Sequence, residues 1–247
     1  MEKSKVLIIG GTGYLGKRLV KASLAEGHET YILHRAEIGV DIDKVQMLLS
    51  FKEQGAHLVS GSFTDHQSLV KAIKLVDVVI CAISGVHIRS HQILLQLKLI
   101  DAIKDAGNVK NALEPGRVTF DDKMIVRKAI EDAQIPFTYI SANCFAGYFL
   151  GGLCQPAIYV EEDDIAMYTI KTIDDPRTLN KTVYLRPPKN ILSQREYAEQ
   201  VGLIHYYHVC YEGCLTDFEI GNDAVEASEL YPEIKYTTVE GYMKRYL

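Results

Sequence analysis

The sequence is that of an α/β protein built on one doubly wound parallel sheet with a smaller C-terminal lobe, and three observations carry this. Short β-branched runs alternate with stretches of helical spacing through the first hundred residues. The runs lack the in–out alternation of a sheet with one wet face, so both faces must be covered by helices. A glycine-rich loop falls between the first run and the first helical stretch.

Each element follows from its own pattern. Residues 5–9 form a β-branched run, residues 10–16 the glycine-rich loop, and residues 17–26 a stretch of helical spacing. Residues 29–33 read as the second strand. Residues 42–54 read as a helix that turns Val45, Leu48, Leu49 and Phe51 inward. A short strand at 57–60, a helix at 67–74 and a strand at 76–83 follow. Residues 90–106 read as a long helix with Ile93, Leu94, Leu97, Ile100 and Ile103 on its apolar stripe. After Gly107 the pattern breaks. Asn108-Val109-Lys110 should lead into a fifth strand, but the chain turns polar at Asn111 and passes through Glu114-Pro115-Gly116. A helix at 119–133 and a clear strand at 136–141 resume it. Abrupt joins recur at Gln155-Pro156-Ala157 and Glu196-Tyr197. Either segments are missing after residues 110, 156 and 196, or the protein is naturally short there.

Composition narrows the function classes. The chain has 247 residues, 47% of them hydrophobic, enough for one substantial core. Net charge is −5 and no Lys/Arg cluster occurs, which argues against a nucleic-acid partner. No basic segment followed by a long apolar stretch opens the chain, so no signal peptide is expected. The longest apolar run, residues 76–83, contains Asp77 and has strand length, so no membrane span is expected. Five cysteines without framework spacing suit free thiols in a reducing, cytoplasmic compartment. His205, His208, Cys210 and Cys214 crowd into one stretch without the paired spacing of a zinc site, so no metal is expected.

The loop Gly10-Gly11-Thr12-Gly13-Tyr14-Leu15-Gly16 fits Gly-x-x-Gly-x-x-Gly between a strand and a helix. Gly10 permits the turn, Gly13 lets the backbone approach a diphosphate, and Gly16 lets the helix pack on the strand. Thr12, Tyr14 and Leu15 complete the cradle, and the helix N-terminus favours an anion. In this context the loop marks a Rossmann-type dinucleotide domain, assigned to residues 1–150, with residues 151–247 as the substrate lobe contributing some sheet-completing elements. The end of the second strand carries Arg35 where NAD enzymes place an acid. A guanidinium can fork onto a 2′-phosphate, and Lys44 adds positive charge, so NADPH is the expected cofactor.

The catalytic group is less plain. Tyr-x-x-x-Lys, the pair of ordinary short-chain dehydrogenases, occurs only at Tyr231–Lys235, far from the nucleotide half and including Pro232; it reads as chance. Lys123, at the start of the helix before the strand at 136–141, is the best alternative. A lysine can act as a base when burial or neighbouring positive charge lowers its pKa.

These stretches resemble the plant NADPH-dependent aromatic alcohol reductases, the group of isoflavone, phenylcoumaran benzylic ether and pinoresinol–lariciresinol reductases. The resemblance rests on Gly10–Gly16, Arg35, Ser84-Gly85-Val86-His87, Phe120-Asp121-Asp122-Lys123-Met124, Ser141-Ala142-Asn143-Cys144-Phe145-Ala146-Gly147-Tyr148-Phe149, Glu162-Asp163-Asp164-Ile165-Ala166 and Tyr211-Glu212-Gly213. Residues 112–120 and 151–156 look most like the pinoresinol–lariciresinol reductases. A family segment Phe-Leu-Pro-Ser-Glu-Phe-Gly has no counterpart after Lys110.

The resemblance implies reduction of a lignan benzylic ether: pinoresinol to lariciresinol, then on to secoisolariciresinol. A base takes the phenol proton, the benzylic C–O bond opens to a quinone methide, and NADPH delivers hydride to the benzylic carbon. Lys123 would be that base or would orient the phenol, its ammonium stabilising the phenolate beside the cofactor. A homodimer is expected by kinship. Asn143, Cys144 and Phe145 follow a strand and would border the nicotinamide, with Ser84 also on the cofactor and Phe63 facing adenine. Gly85, Val86, His87, Ile88 and His91 follow the fourth strand at the carboxyl edge, where such sheets bind ligands. With Phe149 and His205 they would shape the substrate pocket. Two other readings compete: a phenylcoumaran or isoflavone reductase, and a non-catalytic NADP sensor of the NmrA-like kind.

Overall fold

The computed structural model describes residues 3–35, 41–83, 94–109, 111–115, 120–145, 158–190 and 224–245. Its centre is an eight-stranded sheet in which every pairing is parallel, in the order β10-β9-β6-β5-β4-β1-β2-β3. The strands are β1 (Val6–Ile9), β2 (Thr30–His34), β3 (His57–Ser60), β4 (Val78–Cys81), β5 (Asn111–Pro115), β6 (Phe137–Ser141), β9 (Lys181–Tyr184) and β10 (Ala224–Glu226). A separate parallel pair joins β7 (Cys144–Phe145) to β8 (Tyr159–Val160). The described helices are α1 (Gly16–Ala25), α2 (Ile42–Glu53), α3 (His66–Ile73), α4 (Leu95–Ala106), α5 (Phe120–Asp132), α6 (Glu162–Lys171), α7 (Ala227–Leu230) and α8 (Val239–Met243).

The unalternating apolar runs have the expected cause. Val6 and Ile8 of β1 enter one core, with Leu19, Val20, Leu48, Phe51, Ile165 and Tyr168. Leu7 and Ile9 point the other way, into a second core with Leu69, Ile73, Leu99, Ile103, Val126 and Ile130. Successive side chains of a strand take opposite faces, so a strand covered on both sides needs apolar residues throughout. Each such side chain contributes about 1.5–3 kcal/mol by leaving water.

One difference from the sequence reading stands out. The fifth strand is not lost at the polar join: Asn111–Pro115 forms β5, with Ala112 in register against Val79 and Phe137. Ladder partners on both sides place a strand that its own composition does not announce. The fourth helix, expected over residues 90–106, is described over Leu95–Ala106, residues 90–93 lying outside the described ones, and it ends at Gly107, whose left-handed backbone (φ 70°) closes it. The chance reading of Tyr231–Lys235 agrees with its surroundings. Tyr231 is buried and its hydroxyl donates to Asp175 Oδ2 at 2.7 Å, a packing role.

The order of strands fixes where a ligand can bind. From β1 the chain builds outward through β2 and β3, then returns to place β4 on β1's other side. The carboxyl ends of β1 and β4 therefore flank the switch point, where a crevice opens between loops that diverge to opposite sides.

Candidate active site

The glycine loop occupies that crevice. Gly10 has φ +86°, and a Cβ there would lie 2.7 Å from the carbonyl oxygen of Ala82, just beyond β4. The two loops of the switch point thus touch through bare backbone. The Gly13 amide donates to the Gly10 carbonyl at 2.8 Å, closing the turn. A Cβ on Gly16 would stand 1.9 Å from the same carbonyl oxygen, so α1 begins against the loop only because that residue has none. Leu15 anchors the turn in the core at 7% exposure.

The start of α1 carries no side-chain cap, a feature it shares with α4, whose cap position is Leu94. Helices α2, α3 and α6 are capped by the carboxylates of Asp41, Asp65 and Glu161. At α1 the cap position is Leu15, no side chain caps it, and its first turn holds no acid. Amide groups and the positive end of the helix dipole are left for an external anion. The diphosphate of a dinucleotide fits this cradle, and a side chain at Gly10 or Gly16 would fill it.

Other expected residues gather at the same sheet edge. Arg35 follows β2 directly and is exposed, its carbonyl 3.2 Å from His34 Nδ1. Lys44 lies in the first turn of α2, exposed, with Nζ 2.5 Å from Asp41 Oδ2. That pairing leaves Arg35 as the more available cation. Phe63, after β3, is half-buried and lines a cavity of about 240 Å³ with Thr64, His66, Leu69, Lys98 and Asp101.

Asn143 follows β6 at the same edge. Its backbone is left-handed at φ 52°, uncommon for a side-chain-bearing residue and best tolerated by Asn. It is 6% exposed, and Nδ2 donates to the Leu185 carbonyl at 2.5 Å. Oδ1 is buried with no hydrogen-bond partner among the described residues. Such an orphan acceptor costs free energy unless a ligand's donor meets it. Cys144 and Phe145 continue into β7, and Phe145 packs against the first core. Lys123 sits partly buried in the first turn of α5, the helix that leaves the carboxyl end of β5. It therefore shares the edge with Gly10, Arg35 and Asn143.

Ser84, Gly85, Val86, His87, Ile88, His91, Phe149 and His205 lie outside the described residues, as do His208, Cys210 and Cys214. Among the described residues no cluster of three metal-ligating side chains occurs, and no helix is long and apolar enough to cross a membrane.

Sequence reasoning missed a second group at the loop. The Tyr14 hydroxyl donates to Glu162 Oε1 of α6 at 2.8 Å. Arg18 donates from Nη1 to the Tyr14 carbonyl at 2.8 Å and pairs through Nε with Asp163 at 3.0 Å. Residues 162–166 stood out as a run, but nothing in it says that α6 packs on α1. Next to it, burial raises the Asp164 carboxyl to about 6, although the Thr237 amide donates to it at 2.6 Å.

Comparison with known proteins agrees with this geometry. The model of the NmrA-like family matches residues 2–159. A Linum usitatissimum protein, bifunctional pinoresinol-lariciresinol reductase 2, is 65% identical over 311 residues, covering 100% of this chain and 94% of the relative. The bifunctional pinoresinol-lariciresinol reductase of Forsythia intermedia is 63% identical, with both chains covered fully. Among solved structures, AtPrR2 with NADP+ and (+)pinoresinol superposes at a TM-score of 0.90 with 48% identity over 100% of both chains. A leucoanthocyanidin reductase–NADPH complex from Vitis vinifera superposes at 0.84 with 28% identity, covering 98% of this chain and 99% of the other.

Proposed function

This chain belongs to the NmrA-like family, among its pinoresinol–lariciresinol reductases, and we propose that it is an NADPH-dependent reductase of lignan benzylic ethers. It takes pinoresinol to lariciresinol and then to secoisolariciresinol. The observation that carries the cofactor reading is the uncapped, acid-free start of α1, set behind a glycine turn at the switch point.

The chain's own residues divide the work. Gly10, Thr12, Gly13, Tyr14 and Leu15 form the diphosphate cradle. Arg35 forks onto the 2′-phosphate, while Lys44, held by Asp41, serves there only by exchanging that carboxylate for the phosphate. Asn143 offers its orphan Oδ1 to an amide donor such as the cofactor's carboxamide, and Cys144 and Phe145 wall that end. Bound NADPH supplies hydride. Lys123 takes the proton of the substrate phenol, whose electrons expel the benzylic ether oxygen and leave a quinone methide; the released alkoxide is protonated to an alcohol. Reduction at the benzylic carbon restores the aromatic phenolate, which takes back a proton. Ser84, Phe63 and the residues of the 85–91 stretch, with Phe149 and His205, complete the cofactor and substrate contacts in this reading. A cytoplasmic homodimer is part of the same proposal, the compartment following from five cysteines without the spacing of a disulfide framework. Light scattering at twice the chain mass checks the dimer.

The test is an anaerobic incubation of wild type and Lys123→Ala with NADPH and racemic pinoresinol, resolved by chiral chromatography. Lariciresinol from wild type, with the variant slowed about 10²–10⁴-fold, supports the assignment and the base. No product while NADPH is bound overturns the lignan reading in favour of a phenylcoumaran or isoflavone substrate. Binding without consumption across that whole panel leaves a sensor.

A further inference from the structure

Tyr14 stands at the middle of the glycine loop, between the close-approach position Gly13 and the cap position Leu15. Its side chain does not hang free. The hydroxyl donates to Glu162 Oε1 at 2.8 Å, across 148 residues of sequence, and Glu162 is 1% exposed. The Arg18 guanidinium lies 4.6 Å from the Tyr14 ring centroid, and its Nη1 holds the Tyr14 carbonyl at 2.8 Å. The same arginine pairs with Asp163 of α6 at 3.0 Å. Two adjacent acids of α6 thus grip one loop residue, directly through its hydroxyl and indirectly through Arg18.

A buried carboxylate beside the loop is an expensive arrangement for packing alone, because a polar group taken out of water must find hydrogen-bond partners to offset its desolvation. An aliphatic residue would seal α1 against α6 at less cost. What the carboxylate adds is direction: a charge-assisted bond fixes where the Tyr14 side chain, and with it the loop backbone, must lie.

Resting on the dinucleotide reading above, we propose that Glu162 is a positioning residue for the cofactor: it latches Tyr14 so that the glycine loop is set in its binding shape before the cofactor arrives. Preorganisation raises affinity by removing the ordering cost from the binding step. Burial and the Glu162 acceptor push the Tyr14 hydroxyl up to about 12, so it stays a donor throughout the assay range. The latch also joins the domain that holds the diphosphate to α6 of the later segment.

The experiment measures NADPH affinity by fluorescence titration, with KM and kcat, on the full chain as wild type, Tyr14→Phe, Glu162→Ala and Glu162→Gln. Loss of a hydrogen bond to a charged group weakens NADPH binding by about tenfold in Tyr14→Phe and Glu162→Ala. The kcat of Glu162→Ala at saturating NADPH stays within about twofold, because the latch acts on binding and not on the chemical step. Glutamine keeps an acceptor oxygen, so Glu162→Gln holds affinity within about threefold of wild type. A purely structural role would lower the melting temperature and leave the affinity of folded protein unchanged. Unchanged affinity in both Tyr14→Phe and Glu162→Ala overturns the latch while leaving the cofactor reading intact. Should Glu162→Ala not fold, Tyr14→Phe removes the same bond from the exposed side and decides alone. A wild type that does not bind NADPH at all overturns the dinucleotide reading itself and the latch with it.

Discussion

Gly16→Ala sets two effects of known size against each other. Alanine is favoured over glycine in a helix by about 1 kcal/mol, so on propensity alone the change at the start of α1 would stabilise. The structure opposes it. The added Cβ would stand 1.9 Å from the Gly10 carbonyl oxygen, 2.7 Å from its carbon and 2.9 Å from the Gly11 Cα. All three are backbone atoms of the loop itself, so no side chain can swing aside. Relief requires the helix to withdraw from the loop by more than an ångström, and overpacking of this kind costs roughly 1–3 kcal/mol or more. The clash therefore outweighs the propensity gain by up to about 2 kcal/mol, or up to about 8 °C in melting temperature for a chain of this size. The withdrawn helix also carries its N-terminal amides away from the diphosphate. Thermal unfolding followed by circular dichroism, together with NADPH titration, reads both effects. A variant at least as stable as wild type, with unchanged NADPH affinity, would refute the close approach of α1 to the loop.

Two further outcomes follow from other parts of the site. Arg35→Ala removes the cation proposed for the 2′-phosphate, and the preference for NADPH over NADH, measured as the ratio of kcat/KM values, is expected to fall by about 10–100-fold. An unchanged ratio would assign 2′-phosphate recognition to another residue. Asp164 gives a pH dependence of definite sign: its carboxyl rises from 3.8 to about 6 in the fold, chiefly through burial. The folded state therefore holds the proton more tightly than the unfolded one, and that stabilisation, full below the unfolded value, is lost as pH rises through about 4 to 6. Asp164→Asn keeps an acceptor for the Thr237 amide and abolishes the titration. Its melting temperature should exceed that of wild type near pH 7.5 and approach it near about pH 4; parallel pH profiles would refute the assignment.

Much of this was legible in the sequence because its signals are local. A strand covered on both faces must be apolar at successive residues, so Val6–Ile9 and Val78–Cys81 declare themselves. A loop that meets another backbone must be glycine where contact is closest, so Gly10 and Gly16 declare themselves too. Arg35 was found by its place at the end of β2, where the second ribose of a dinucleotide is read. The sequence by itself therefore determined the parallel sheet covered on both faces and the glycine loop that opens it, and it supplied Arg35 as the residue proposed for a 2′-phosphate. Tertiary structure alone decided the rest. Asn111–Pro115 is a strand because β4 and β6 supply ladder partners, which no local propensity records. Asn143 turns its amide nitrogen to the Leu185 carbonyl and leaves Oδ1 without a partner among the described residues, which only the packing around it reveals. Glu162 meets Tyr14 because α6 folds back onto α1 across 148 residues, and a contact at that distance leaves no spacing for a sequence pattern to carry.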